Sequence, residues 1–154
     1  MNEELYNESI KHFNQHGGEI LLFTIEDNVY GIEIQYITEI IGIQPITIVP
    51  KVPAYIKGVI NIRGKVVPVM SVRSRFGKEE IEFDSRTCII VVEWDGVAVG
   101  LIADRVREVE TVKPEEICPT PDYKSVNMNQ YIRCIINSED GVRLLLNCQK
   151  LVME

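Results

Sequence analysis

The chain has 154 residues, enough to bury a real core in one compact domain or in two very small ones sharing an interface. Hydrophobic residues make up 45% and charged residues 25%, the balance of a water-soluble globular protein rather than a disordered or membrane one. The net charge of -7 opposes contact with phosphate backbones, and no cluster of Lys and Arg is dense enough to reverse that locally.

The first stretch, MNEELYNESIKHFNQHGG, has neither the basic nor the apolar region of a secretory signal, and no later apolar run approaches membrane-span length, so the expected location is the cytoplasm. Tyr6, Ile10 and Phe13 fall at helical spacing but have nothing obvious to pack on. Residues 1–18 are therefore expected to be a flexible or partly helical segment, a frayed helix or loose tail rather than core, ahead of a domain over 19–154. From Glu19 onward, short β-branched runs alternate with turn signals, the pattern of an all-β barrel or sandwich.

The first pair, ILLFTI and VYGIEI, is joined by Glu26-Asp27-Asn28 and reads as a hairpin. Within IEIQYITEII, Ile34, Ile37 and Ile41 are spaced to give about two helical turns with one apolar face, stopped by Gly42. The run IGIQPITIVP carries Pro45 and Pro50, which favour a sheet edge or strand end. The stretch AYIKGVINIRGKVVPVMSV predicts a hairpin turning at Arg63-Gly64, with Pro68 marking the second strand as edge-like.

A short helix is expected after Met70, with Ser71 able to cap it. A waist between two halves is expected near residues 78–86. TCIIVVEW and VAVGLIAD flank Asp95-Gly96, a strong hairpin signal. VREVETV, YIRCIIN and VRLLLN complete about ten strands in two sets of about five, and NCQKLVME predicts a closing helix.

Chemistry is hard to build from this sequence. His12 and His16 stand at i, i+4 in the N-terminal segment, a spacing that could place two imidazoles on one face, but no third ligand follows a metal-site pattern. They are also the only histidines, so a Ser-His or Cys-His relay has no partner among the strands. Glycine-rich phosphate loops are absent, and the pairs Glu79-Glu80 and Glu115-Glu116 read as solvated connector charges. Cys88, Cys118, Cys134 and Cys148 form no CxxC pair and are expected to be reduced thiols. Neither catalysis nor a cofactor nor a metal is expected. An OB-like barrel binding single-stranded nucleic acid is the rival reading, but it requires a basic, aromatic face that this composition does not supply.

Read together, YGIEI, ITEIIG, ITIVPKVPAYIKGVINIRG and KVVPVMSVRSRFG, followed by VGLIADRVREVETV, resemble the CheW family of chemotaxis coupling proteins, and the similarity covers everything after Gly18. The resemblance implies a mainly β fold of two SH3-like five-stranded barrels packed around a shared hydrophobic interface. It also implies an adaptor linking the cytoplasmic tip of chemoreceptors to the regulatory domain of a CheA-type histidine kinase, in a flagellar or other output pathway. Membrane association would then be indirect, through receptors. Arg63 in NIRG and Glu39 in ITEI match family positions implicated in partner binding, and Ile37, Lys57, Gly58 and Val109 fall in motifs around that surface. Without the resemblance, Arg63 would read as an exposed turn arginine. With it, a pairing of Glu39 with Arg63 that orients the guanidinium is expected. Many relatives carry Asp where this chain has Ser71, so a local acceptor or charge pair present in them is missing here.

Overall fold

The computed structural model describes residues 3–118 and 130–153, and in it the β-branched runs become eleven strands. In chain order these are β1 (Gly18–Ile25), β2 (Asn28–Glu33), β3 (Ile37–Gly42), β4 (Ile56–Ile62), β5 (Lys65–Ser71), β6 (Cys88–Trp94), β7 (Val97–Ala103), β8 (Arg105–Val112), β9 (Ile117–Cys118), β10 (Ile132–Ser138) and β11 (Gly141–Leu146). They form a six-stranded sheet of order β8-β1-β2-β11-β10-β9 and a five-stranded sheet of order β3-β6-β7-β5-β4. Each behaves as a small SH3-like barrel. Two strands fall outside the expected runs: β3, in a stretch expected to be helical, and β9, two residues paired with Ile135 and Ile136, while the run expected at 41–50 forms no strand beyond Gly42.

The continuous apolar runs are explained by where their two faces go. In β1, Ile20 and Leu22 enter one core while Leu21 and Phe23 enter another. In β6, Ile89 and Val91 fill the five-stranded barrel while Ile90 and Val92 face the same shared core as Leu21. A strand buried on both faces has no polar alternation to show. The described residues thus form three apolar clusters, one inside each barrel and a larger one between them, which also takes in Tyr30, Met70, Trp94 and Leu101.

The two barrels are nested rather than sequential. β3 to β7 are inserted between β2 and β8, and parallel pairings of β11 with β2 and of β7 with β5 complete the sheets. Residues 78–86 accordingly lie between β5 and β6, two strands of the same sheet, and the chain passes between sheets elsewhere, at Ile34–Tyr36 and at Asp104.

Three further expectations are corrected. The N-terminal segment is a fourteen-residue helix, α1 (Glu3–His16), and it is part of the core: Tyr6 is 1% exposed and Phe13 is 3% exposed. Tyr6 meets Trp94 edge-on with ring centroids 6.0 Å apart, and its hydroxyl donates to Asn147 Oδ1 at 2.9 Å. Phe13 joins the six-stranded barrel's cluster, with the Arg133 guanidinium 4.9 Å from its ring centroid. Trp94, Arg133 and Asn147 all lie far from the helix along the chain, so local spacing does not reveal them. Gly17, with φ of 72°, ends the helix where any Cβ would sit 2.0 Å from the Val112 carbonyl oxygen.

IEIQYITEII is not a helix. It forms a single 3-10 turn at Ile34–Tyr36 and then β3, because six of its ten residues are β-branched and β6 offers a strand partner. Ile34 and Ile40 are exposed as a result, while Ile37 and Ile41 pack against the cores.

Pro68 does not make β5 an edge strand. β5 lies between β7 and β4, but β7 pairs only with Val69, Met70 and Ser71, so the prolyl nitrogen falls outside the doubly paired stretch. Of IGIQPITIVP, Gly42 closes β3 and Thr47 makes a lone bridge to Val59.

The remaining expected hairpins, β1–β2, β4–β5, β6–β7 and β10–β11, are all present. So are the short helices α2 (Val72–Arg75) and α3 (Cys148–Met153); residue 154, the last of the expected closing helix, lies outside the described residues.

Candidate docking site

Arg63 and Gly64 form a two-residue turn between β4 and β5 with φ of 49° and 84°, the doubly left-handed geometry that matches strand twist. Asn61 Oδ1 accepts a hydrogen bond from the Gly64 N–H at 2.8 Å, which braces the turn from inside. The Arg63 side chain is 75% exposed, yet it is held: its Nη1 and Nη2 donate to Glu39 Oε1 and Oε2 at 2.8 and 2.6 Å.

Glu39 reaches this position through a bulge. Ile37 pairs with Val92 and Glu39 with Val91, leaving Thr38 as the extra residue, whose hydroxyl donates to the Val91 carbonyl at 3.3 Å. Glu39 thereby shares a side with Val91, at the mouth of the five-stranded barrel, and is partly covered rather than fully exposed as a helical register would have it. β3 and β4 are the two edges of that sheet, so the ion pair bridges across its open seam. It borders a depression of about 320 Å³ also lined by Ile62, Val67, Val91 and Ala98. The hydrogen bonds and charge of Arg63 hold the Glu39 carboxyl below its usual range, and Glu39 raises the guanidinium in return.

The other expected site residues are not gathered here. Ile37 is half-buried against the shared core. Gly58, with φ of 146°, lies where segment 43–50 crosses β4: a Cβ there would stand 2.1 Å from the Thr47 carbonyl oxygen, beside reciprocal backbone bonds between Thr47 and Val59 at 2.9 Å. Its role is close packing of backbone on backbone. Lys57 sits at a second bulge and reaches Glu80 at 3.4 Å. Val109, 46% exposed, belongs to β8 on the other sheet.

Ser71 caps α2, accepting from the Ser74 N–H at 3.1 Å, and its hydroxyl donates to Glu80 Oε1 at 2.5 Å. The carboxylate expected to be missing at this position is supplied nine residues along the chain.

One cluster was not singled out from sequence. Arg73 donates to Asp104 through Nε and Nη2 at 3.0 and 2.6 Å, and through Nη1 to Glu26 and to the Glu79 carbonyl at 3.3 and 2.9 Å. Charged residues from three separated segments carry no shared local pattern, so only the fold brings them together.

His12 and His16 lie on the exposed side of α1 with ring centroids 4.6 Å apart, and no group of three or more His, Cys, Asp or Glu able to hold a metal occurs among the described residues. All four cysteines are free thiols, and burial pushes Cys134 up to about 11. Among the described residues, no helix is long and apolar enough to cross a membrane.

The sequence profile of the CheW-like domain matches residues 19–154. The chain belongs to the CheW family. Among its CheW relatives, the chemotaxis protein CheW of Klebsiella aerogenes is 31% identical over 136 residues, covering 88% of this chain and 82% of that one. A probable chemotaxis protein CheW of Rhizobium etli is 34% identical, covering 95% and 94%. The crystal structure of the scaffolding protein TtCheW from Thermoanaerobacter tengcongensis superimposes with a TM-score of 0.78 at 30% identity, over 84% of this chain and 88% of that one. As a CheW-family protein, the chain is a non-catalytic adaptor for chemotaxis coupling, and the OB-like reading falls away.

Proposed function

We propose that this adaptor works in the cytoplasm, linking the signalling tip of a chemoreceptor to the regulatory domain of a CheA-type histidine kinase, with Arg63 and Glu39 at the centre of one docking face. The observation that carries the reading is a guanidinium that is mostly exposed and already held in one direction. A partner meeting it loses less side-chain freedom than it would meeting a free arginine, so more of the contact energy reaches affinity. Ile37, Lys57 and Gly58 lie on the same barrel away from that ion pair and extend the contact along it, Gly58 by holding the Thr47 crossing in place, and Val109 contributes to a second contact on the other barrel.

Two contacts on two barrels let one small protein tie partners together. Each can be weak, because linkage raises the local concentration of the remaining partner. Signalling then requires receptor states that differ in contact energy with the adaptor or the kinase, since equal affinities shift no equilibrium.

The test is co-sedimentation of the purified protein with a receptor signalling tip and with the kinase, using a single-stranded oligonucleotide as control. Wild type should sediment with both proteins and not with the oligonucleotide. Arg63→Glu should lose about tenfold or more in affinity for at least one partner while melting normally, because it sets two carboxylates together at an exposed turn. Unchanged sedimentation with both partners would remove Arg63 from the docking face.

A further inference from the structure

The two sheets meet over apolar surface, and apolar contact is strong but non-directional. Something else must fix the angle at which one barrel faces the other. The Arg73 cluster stands where the chain crosses from β7 to β8, and it joins parts of both sheets. Arg73 itself follows β5 of the five-stranded sheet, on α2. Its guanidinium grips Asp104, the crossing residue, with two hydrogen bonds, and reaches Glu26 in the β1–β2 turn of the six-stranded sheet. Asp104 Oδ2 also accepts from the Glu26 N–H at 2.9 Å, and the Asp104 N–H donates to the Thr24 carbonyl at 3.2 Å. Lys78 adds a second bond from the five-stranded side to Glu26, at 3.0 Å.

Arg73 is 8% exposed. Its guanidinium is engaged by two carboxylates and a carbonyl, so it offers little to a visiting partner, and a planar fork bonded on several sides resists rotation in a way that packed methyl groups do not. From this geometry we infer that Arg73 is a positioning residue that sets the orientation of the two barrels, and through it the relative placement of whatever docks on each. The consequence for partners rests on the coupling role proposed above; the orientation itself does not.

The test separates the two. Nitroxide labels are placed at exposed positions on opposite sheets, through Val66→Cys and Val142→Cys, in the full chain carrying Cys88→Ser and Cys118→Ser, and distances are read by double electron–electron resonance. The parent should give a narrow distribution. Arg73→Met, which keeps the stem and removes the fork, should broaden it by about twofold. Glu26→Gln, at an exposed turn that tolerates change, should broaden it less and keeps the proposal open to refutation if Arg73→Met fails to fold. An unchanged distribution in the folded variants would overturn it.

With partners present, Arg73→Met should bind receptor tip and kinase singly within about twofold of wild type, yet assemble the ternary complex about tenfold less well. A merely structural role would lower all three together, and that result would overturn the positioning role. Failure of the parent to bind either partner would instead refute the coupling role and leave the distance measurement to decide the clamp.

Discussion

At Gly58 the chain carries a residue whose place in a functional motif and whose physical job differ. The backbone there is left-handed, with φ of 146°, and the space a Cβ needs is filled by the Thr47 carbonyl oxygen, an atom that cannot move without breaking the Thr47–Val59 bonds. Gly58→Ala should therefore cost about 3 kcal/mol, read as a lower midpoint in urea with an unchanged slope. A loss below about 0.5 kcal/mol would mean that segment 43–50 is not laid across β4 as described. Any loss of partner binding in that variant would follow from the displaced segment, whereas the loss at Arg63→Glu would occur in a protein of normal stability. Comparing the two variants separates shaping a face from belonging to it.

The helix α1 shows the same separation among elements. It lies ahead of the residues that match the family profile, but Tyr6 enters the core between the barrels and Phe13 enters the six-stranded one. Phe13→Ala should cost about 3 kcal/mol by leaving a cavity, while Leu5→Ala on the exposed side of the same helix should change stability by less than about 0.5 kcal/mol. Equal and small effects at both positions in thermal melts would show that the helix is not docked. What the sequence made legible here was the spacing of Tyr6, Ile10 and Phe13; what it hid was the receiving surface, built from Trp94, Val112, Cys134 and Asn147. The four hairpins were readable because a tight turn and its flanking strands are local in sequence. β3 was misread because isoleucines three and four apart suit a helix by position and a strand by shape, and only the presence of β6 decides between them. The Glu39–Arg63 pair was anticipated because both residues sit in neighbouring family motifs. The partners of Arg73 are not legible in the sequence, because the two carboxylates that hold it lie at 26 and 104.

For the molecule as a whole, nested connectivity makes the two barrels one cooperative object, since unfolding either one strips the core they share. The acid stability of that object should depend on the clamp at the crossing. Burial alone would raise the Asp104 carboxyl, but the hydrogen bonds and charge of Arg73, with the Glu26 N–H, hold it below its usual range; Glu26 is lowered as well, chiefly by its bond to Lys78. A carboxyl depressed in the folded state contributes stability that is present above its unfolded pKa and is lost as pH falls through the folded value. Asp104→Asn should therefore be less stable than wild type by about 2 kcal/mol at neutral pH, less than a fully buried pair would lose because the side chain keeps some contact with water. The difference should persist down to about pH 5 and shrink below about pH 4, as the wild-type carboxylate takes up its proton and comes to resemble the amide. Urea midpoints of both proteins across that range make the check. Parallel curves, with the gap as wide in acid as at neutral pH, would show that the cost of the substitution is one of shape, and that the charge on Asp104 does not hold the two barrels together.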